Sequence, residues 1–226
     1  MTKVYIIRHC EARGNIDRVF HGLTDSDISE NGRKQLDCLS ERFKNIELSA
    51  VYASPLKRTR LTAEAVNKYH DLSINIDYDL IEINGGVIEG LPWKELPVQY
   101  PEYARQWNLA PHEFAPQGGE AMSSVYMRGL DSVCKIAQQH AGKTVAVVSH
   151  GCVIRNIICR AMNLPIDELN TVEWCDNTAV TLLQFDDEFN CNLVFFNDAS
   201  HLSDELSTLS KQSWWQKDKR NNLEFD

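Results

Sequence analysis

Four residues, Val4-Tyr5-Ile6-Ile7, constrain what this chain can fold into more than any other stretch. They are β-branched or aromatic, short in extent and not amphipathic. Such a run reads as a strand covered on both faces, as happens when helices flank a parallel sheet. It ends in Arg8-His9-Cys10-Glu11. Ligands in sheets of this kind bind at the carboxyl ends of the strands. A permanent cation and a titratable nitrogen therefore stand side by side where an anion would sit. A second run repeats the arrangement. Thr144 to Ser149, with Val145-Ala146-Val147-Val148 at its centre, leads into His150-Gly151. The segment from Cys152 to Met162 follows, with Ile154, Ile157, Ile158 and Ala161 at helical spacing. His150 is thus expected next to a helix N-terminus, where backbone N–H groups receive phosphate.

A third strand candidate, Ala50-Val51-Tyr52-Ala53, runs into Ser54-Pro55-Leu56-Lys57-Arg58-Thr59-Arg60. Ser54 is a suitable N-cap and Pro55 a suitable first helical residue. Lys57, Arg58 and Arg60 then crowd a helix start and oppose its dipole, which favours an anionic ligand there. Glu82 lies between Ile81 and Ile83, shortly before Gly85-Gly86. A carboxyl among apolar neighbours has a raised pKa, as a general acid requires. An exposed loop carboxylate is the alternative reading of the same residue.

The 226 residues, 43% of them apolar, suffice to bury one full core, and no linker, repeat or low-complexity stretch divides residues 1–226. Strand and helix patterns alternate, which argues for an α/β layered fold with a mostly parallel sheet. Seven cysteines without a C-x-x-C pair suggest reduced thiols and a cytoplasmic protein. No signal peptide and no bilayer-spanning stretch stands out. The histidines are scattered and no His/Cys cluster has zinc-ligand spacing, so no metal is expected. A net charge of −9 weighs against nucleic acid, and no nucleotide phosphate loop is present, so no ATP or other cofactor is expected.

Taken together, the motifs carry a family resemblance. Arg8-His9-Cys10-Glu11-Ala12-Arg13-Gly14-Asn15 resembles the R-H-G-E-T-x-x-N signature of the histidine phosphatase superfamily, which includes cofactor-dependent phosphoglycerate mutases. Similar blocks follow in order: Gly22 to Gly32, Ser54 to Thr59 with Thr62-Ala63, Leu80 to Leu91, Gly118-Gly119-Glu120, and Ser149-His150-Gly151. The resemblance implies a three-layer α/β/α sandwich with one antiparallel edge strand. It implies that His9 is the nucleophile that becomes phosphohistidine. Arg8, Arg58 and His150, with Asn15 and Gly151, would bind the phosphoryl group, and Glu82 would be the acid and then the base. Cys10 stands where the family has Gly, and Ala12 where it has Thr. The implied activity is metal-independent hydrolysis of a small phosphorylated metabolite. A phosphoglycerate mutase is the alternative, and a catalytically silent phosphate-binding module a third reading.

Residues 92–117 hold Trp93, Tyr100, Tyr103, Trp107 and Phe114 among five prolines. Such a segment reads as a substrate lid, or as a surface excursion with its own aromatic core. Arg105 stands without a paired arginine, which favours phosphatase over mutase. The stretch from Ser203 to Lys217 reads as a helix within a tail over 203–226, its Trp214-Trp215 docking on the domain or forming a dimer contact. The expected assembly is a monomer or homodimer.

Overall fold

The computed structural model describes residues 1–212. In chain order its strands are β1 (Thr2–Arg8), β2 (Ala50–Ala53), β3 (Ile74–Ile76), β4 (Thr144–Ser149), β5 (Val180–Phe185) and β6 (Cys191–Asp198). The helices are α1 (Arg13–Ile16), α2 (Glu30–Phe43), α3 (Lys57–Asn67), α4 (Leu96–Gln99), α5 (Pro101–Leu109), α6 (Met122–Gln139) and α7 (Gly151–Ala161), joined by short 3₁₀ turns. The strands form one sheet in the order β3-β2-β4-β1-β5-β6. Strands β1 to β4 pair in parallel, whereas β5 runs antiparallel to both β1 and β6. The antiparallel strand expected at the sheet edge is therefore one place further in, and β6 forms that edge.

Alternation along the central strands sorts the core into two faces. Val4, Ile6, Val145 and Val147 point to one side, where α6 and α7 supply Val133, Ile136, Ile154 and Ile157. Ile7, Val51, Ala146 and Val148 point to the other, against Leu39 and Phe43 of α2 and Ala63 and Val66 of α3. The result is the α/β/α sandwich, and it explains why β1 and β4 are apolar at successive positions. The register pairs Arg8 with Ser149. The polar ends of β1 and β4 thus emerge together.

Two local expectations are corrected. Helix α3 begins at Lys57 with Leu56 as N-cap, not at Pro55 behind Ser54. The Ser54 hydroxyl is 2.7 Å from His150 Nε2, and the Ser54 carbonyl accepts from Thr59 Oγ1, so neither caps the helix. Of the three cations there, only Arg58 turns inward, whereas Lys57 pairs with Asp27 and Arg60 is exposed.

The expected helix from Ser203 is replaced, as far as residue 212, by turns and one 3₁₀ turn, Leu209–Lys211. Side chains from elsewhere claim the backbone groups a helix would use. Asn31 and Gln35 donate to the Leu206 carbonyl at 3.1 and 2.8 Å, and Asp176 Oδ1 accepts from the N–H groups of Thr208 and Leu209 at 3.0 and 3.2 Å. Trp214 and Trp215 lie outside the described residues. Asp176→Ala is expected to lower stability by about 1–3 kcal/mol, because it strands buried donors. Denaturant unfolding measures that loss, and limited proteolysis should then cut within 203–212.

Candidate active site

His9 follows the last residue of β1. Its backbone N–H donates to the Ser149 carbonyl at 3.0 Å, which ties it to the end of β4. The ring Nδ1 lies 2.7 Å from the Cys10 carbonyl. A carbonyl only accepts, so Nδ1 carries the proton and Nε2 keeps its lone pair. Burial, then Arg58 and Arg8, hold the His9 pKa well below the ordinary 6.5. The ring is therefore neutral and nucleophilic at neutral pH.

Arg8 is nearly buried, and one of its terminal nitrogens, Nη1, donates to the Cys175 carbonyl at 2.5 Å. Its Nε is shielded from solvent and has no partner among the described residues. A buried donor left over beside a neutral imidazole calls for an acceptor from a ligand. Gly151 opens α7 directly against this group. A Cβ there would lie 3.3 Å from both Arg8 Nε and the Trp174 ring, so a side chain would crowd the guanidinium.

Glu82 is buried at the start of α7, where its oxygens accept from the N–H groups of Ile83 and Cys152 at 2.9 and 3.2 Å. Burial raises its pKa above 4.5 despite those bonds and the charge of Arg58. The exposed-loop reading of this residue does not hold. The other acids near the motifs have structural duties. Glu89 accepts from the N–H groups of Leu23, Thr24 and Gly85, and Glu11 from Ser29, Asn31 and Thr208.

Arg58 and His150 are both fully buried. Arg58 Nε donates to His150 Nδ1 at 3.2 Å, which leaves the His150 proton on Nε2, facing Ser54. Its other nitrogens donate to the carbonyls of Thr24 and Gly22 at 2.9 and 2.8 Å and to His21 Nε2 at 3.3 Å. Burial pushes the Arg58 pKa down to about 10, so it remains a cation at neutrality. The His9 and His150 rings stand 5.2 Å apart. One cleft of about 850 Å³, its mouth included, carries Arg8, His9, Asn15, Glu82 and Gly151 on its wall. Arg58 and His150 sit one layer behind that wall.

The substituted positions are accommodated. Cys10 is fully buried with its N–H donating to Thr62 Oγ1 at 3.0 Å, and burial pushes its thiol up to about 11. The Ala12 N–H donates to Asn15 Oδ1 at 3.0 Å, so Asn15 is held without a threonine at position 12.

Several residues of the cleft escape sequence reasoning. His21 is on the wall, its pKa lowered to about 3 by burial and Arg58, and its ring fills the space above Gly14, where a Cβ would come within 2.4 Å. Trp174, Asn108 and Gln212 also line it, from distant parts of the chain. His21 beside Gly22 was the one legible signal, since it falls just ahead of the Gly22 block. From the aromatic segment 92–117, Trp93 and Trp107 face the cleft, while Tyr103 and Phe114 pack with Trp107 and Tyr100 in a small aromatic core. The segment thus carries an aromatic core of its own and also supplies two rings to the cleft wall.

Comparison with known proteins places this geometry in a family. The chain is 32% identical over 204 residues to phosphoserine phosphatase 1 of Hydrogenobacter thermophilus, covering 90% of this chain and 96% of that protein. It is 30% identical over 206 residues to phosphoglycerate mutase-like protein 4 of Arabidopsis thaliana, covering 90% and 88%. The solved structure of Bacillus stearothermophilus YhfR superposes with a TM-score of 0.86 at 32% identity, over 90% of this chain and all of that one. A profile of the histidine phosphatase superfamily, branch 1, matches residues 4–199. With a match of that extent, enclosing both His9 and His150, this chain belongs to the histidine phosphatase superfamily.

Proposed function

We propose that the protein is a phosphoric monoester hydrolase that works through a phosphohistidine on His9. The observation that carries the reading is His9 itself, with Nδ1 tied to a carbonyl, Nε2 free, and the unpartnered Arg8 Nε and the buried Glu82 carboxyl, its pKa raised, on the same cleft wall. In the first step Nε2 attacks phosphorus, the ester P–O bond breaks, and the leaving oxygen takes the Glu82 proton. In the second, the Glu82 carboxylate takes a proton from water, whose oxygen attacks phosphorus and breaks the P–N bond. Arg8, Asn15 and the Gly151 backbone hold the phosphoryl oxygens. Arg58 and His150 supply charge and orientation from behind. Such transfer is mainly positioning and electrostatic stabilisation, which guanidinium groups provide without a metal.

Phosphatase is favoured over mutase because Arg105 is spent on the surface, bound to Glu102 at 2.7 and 3.0 Å and to Glu113. It does not line the cleft. The phosphoserine phosphatase name of one relative supports hydrolysis, and the mutase-like name of another keeps phosphoglycerates in the test. Seven free thiols and no described helix long and apolar enough to cross a membrane fit a cytoplasmic enzyme acting on a small phosphorylated metabolite. Phosphate release from a metabolite panel in excess EDTA tests the reading. Hydrolysis should persist. Interconversion of phosphoglycerates with no net phosphate release would replace hydrolase by mutase.

A further inference from the structure

The Gly118-Gly119-Glu120 block lies against the loop that carries Glu82. A Cβ on Gly119 would come within 2.5 Å of the Asn84 carbonyl, and one on Gly86, where φ is +54°, within 2.2 Å of the Gln117 carbonyl. The glycines thus let the two loops lie backbone to backbone. The Val87 N–H donates to the Gln117 carbonyl at 3.0 Å, and the Glu120 N–H donates to the Asn84 carbonyl at 2.9 Å, just after Glu82. The Glu120 carboxylate then accepts from Arg128 of α6 through both oxygens, from Nε at 2.7 Å and from Nη2 at 2.9 Å. The remaining guanidinium nitrogen, Nη1, donates to the Asp79 carbonyl at 2.6 Å, just before Glu82. One ion pair therefore closes the chain from Asp79 to Asn84 into a loop, with Glu82 inside it. The two side chains are 16% and 22% exposed, so solvent screens the pair far less than an open surface bridge. A bidentate fork fixes its partner in angle as well as in distance. A general acid needs that accuracy, because a displacement of about 1 Å can cost about 10²-fold in rate.

We infer that Glu120 and Arg128 are positioning residues for the general acid, their ion pair holding the loop so that the Glu82 carboxyl meets the leaving oxygen. This rests on the phosphatase reading above and names the residues on which its acid depends. Neither side chain lines the cleft, so both act through Glu82 and not on the substrate. The loop has other ties that survive loss of the pair: Ser149 Oγ donates to the Leu80 carbonyl at 2.8 Å, and the Glu120 N–H belongs to the backbone. Glu120→Gln removes the carboxylate and leaves those ties in place.

The test compares kcat/KM, which reports the first step, on two esters: the best alkyl phosphate of the metabolite panel, and 4-nitrophenyl phosphate, whose leaving group departs without a proton. Glu120→Gln and Arg128→Met should each lower the alkyl-to-aryl ratio by at least about tenfold. Partial unfolding lowers both rates together and cancels from that ratio. A double-mutant cycle supplies the second readout. In a Glu82→Gln background, Glu120→Gln should lower kcat/KM on the alkyl ester by no more than about twofold further, since the acid it positions is already gone. An unchanged ratio in both single variants, or a full second loss in the Glu82→Gln background, overturns the inference and leaves the phosphatase standing. A wild type that hydrolyses neither ester overturns the phosphatase reading itself, and the inference with it.

Discussion

Replacing His9 with alanine is expected to abolish turnover, with kcat falling by roughly 10⁶-fold, the scale seen when a covalent nucleophile is removed from other enzymes. The loss should be chemical and not structural. The contacts that place residue 9 are made by its backbone, whose N–H reaches Ser149 and whose carbonyl accepts from Asn177 Nδ2 at 2.8 Å and from the Thr178 N–H at 3.3 Å. Alanine keeps all of these and forfeits only the ring and its bond to Cys10. Near-wild-type melting temperature together with absent phosphate release is the expected pair of results. Labelled phosphate that is released by acid but retained in alkali on the wild-type chain, and absent from the variant, would identify the phosphohistidine. A variant that still turned over at more than a hundredth of the wild-type rate would remove His9 from the chemistry.

Glu82→Gln is expected to lower kcat by about 10²–10⁴-fold on alkyl phosphates, the usual range for a general acid. The defect in the first step should shrink on an aryl phosphate with a good leaving group, which departs without the proton. Deacylation-like attack by water on phosphohistidine still needs the carboxylate, so phosphoenzyme should then accumulate. The pH profile gives a second readout. His9 must be unprotonated to attack, and its pKa lies below 6.5, so the acid limb of kcat/KM falls below pH 6.5. Glu82 must be protonated to donate, and burial raises its pKa above 4.5, so activity falls as pH rises through that raised value. Glu82→Gln should lose this alkaline limb and keep the acid one. The same shift enters stability. Because the folded state holds the Glu82 proton more tightly than the unfolded chain, its contribution is fully present below pH 4.5 and is lost as pH rises through the raised folded value. The variant's stability curve should be flatter over that interval.

The residues proposed for the chemistry were largely legible because they end a strand or stand close to a glycine-marked turn. Val4 to Ile7 and Val145 to Val148 are too short and too uniformly apolar to be anything but covered strands, and Arg8-His9 and Ser149-His150 stand immediately after them. Local order along the chain sufficed there. Ser54 shows where it stops sufficing. As a sequence signal it is an N-cap, yet in the fold its hydroxyl is closer to His150, 96 positions away, than any local cap would need. The segment from Ser203 failed for the same reason. Its apolar spacing suits a helix, but Asn31, Gln35 and Asp176 reach its backbone first, and no local pattern announces partners that arrive from 32 to 175 positions off.

The sequence by itself therefore determined the sheet, the two strand-end histidines, the place of Glu82 ahead of the glycine pair and the superfamily, since these depend on periodicity and on short ordered motifs. The tertiary structure decided which of Arg8 and Arg58 lines the cleft, which nitrogen of His9 is free, and which distant side chains share the cleft wall. Arg8 keeps an unpaired Nε while Arg58 spends its donors on His21, Gly22, Thr24 and His150. Trp93, Trp107, Asn108 and Trp174 become one wall only when α5 and the turns after α7 close over the ends of β1 and β4. Charge state and hydrogen-bond capacity are set by burial and by long-range partners, and those exist only once the chain has folded.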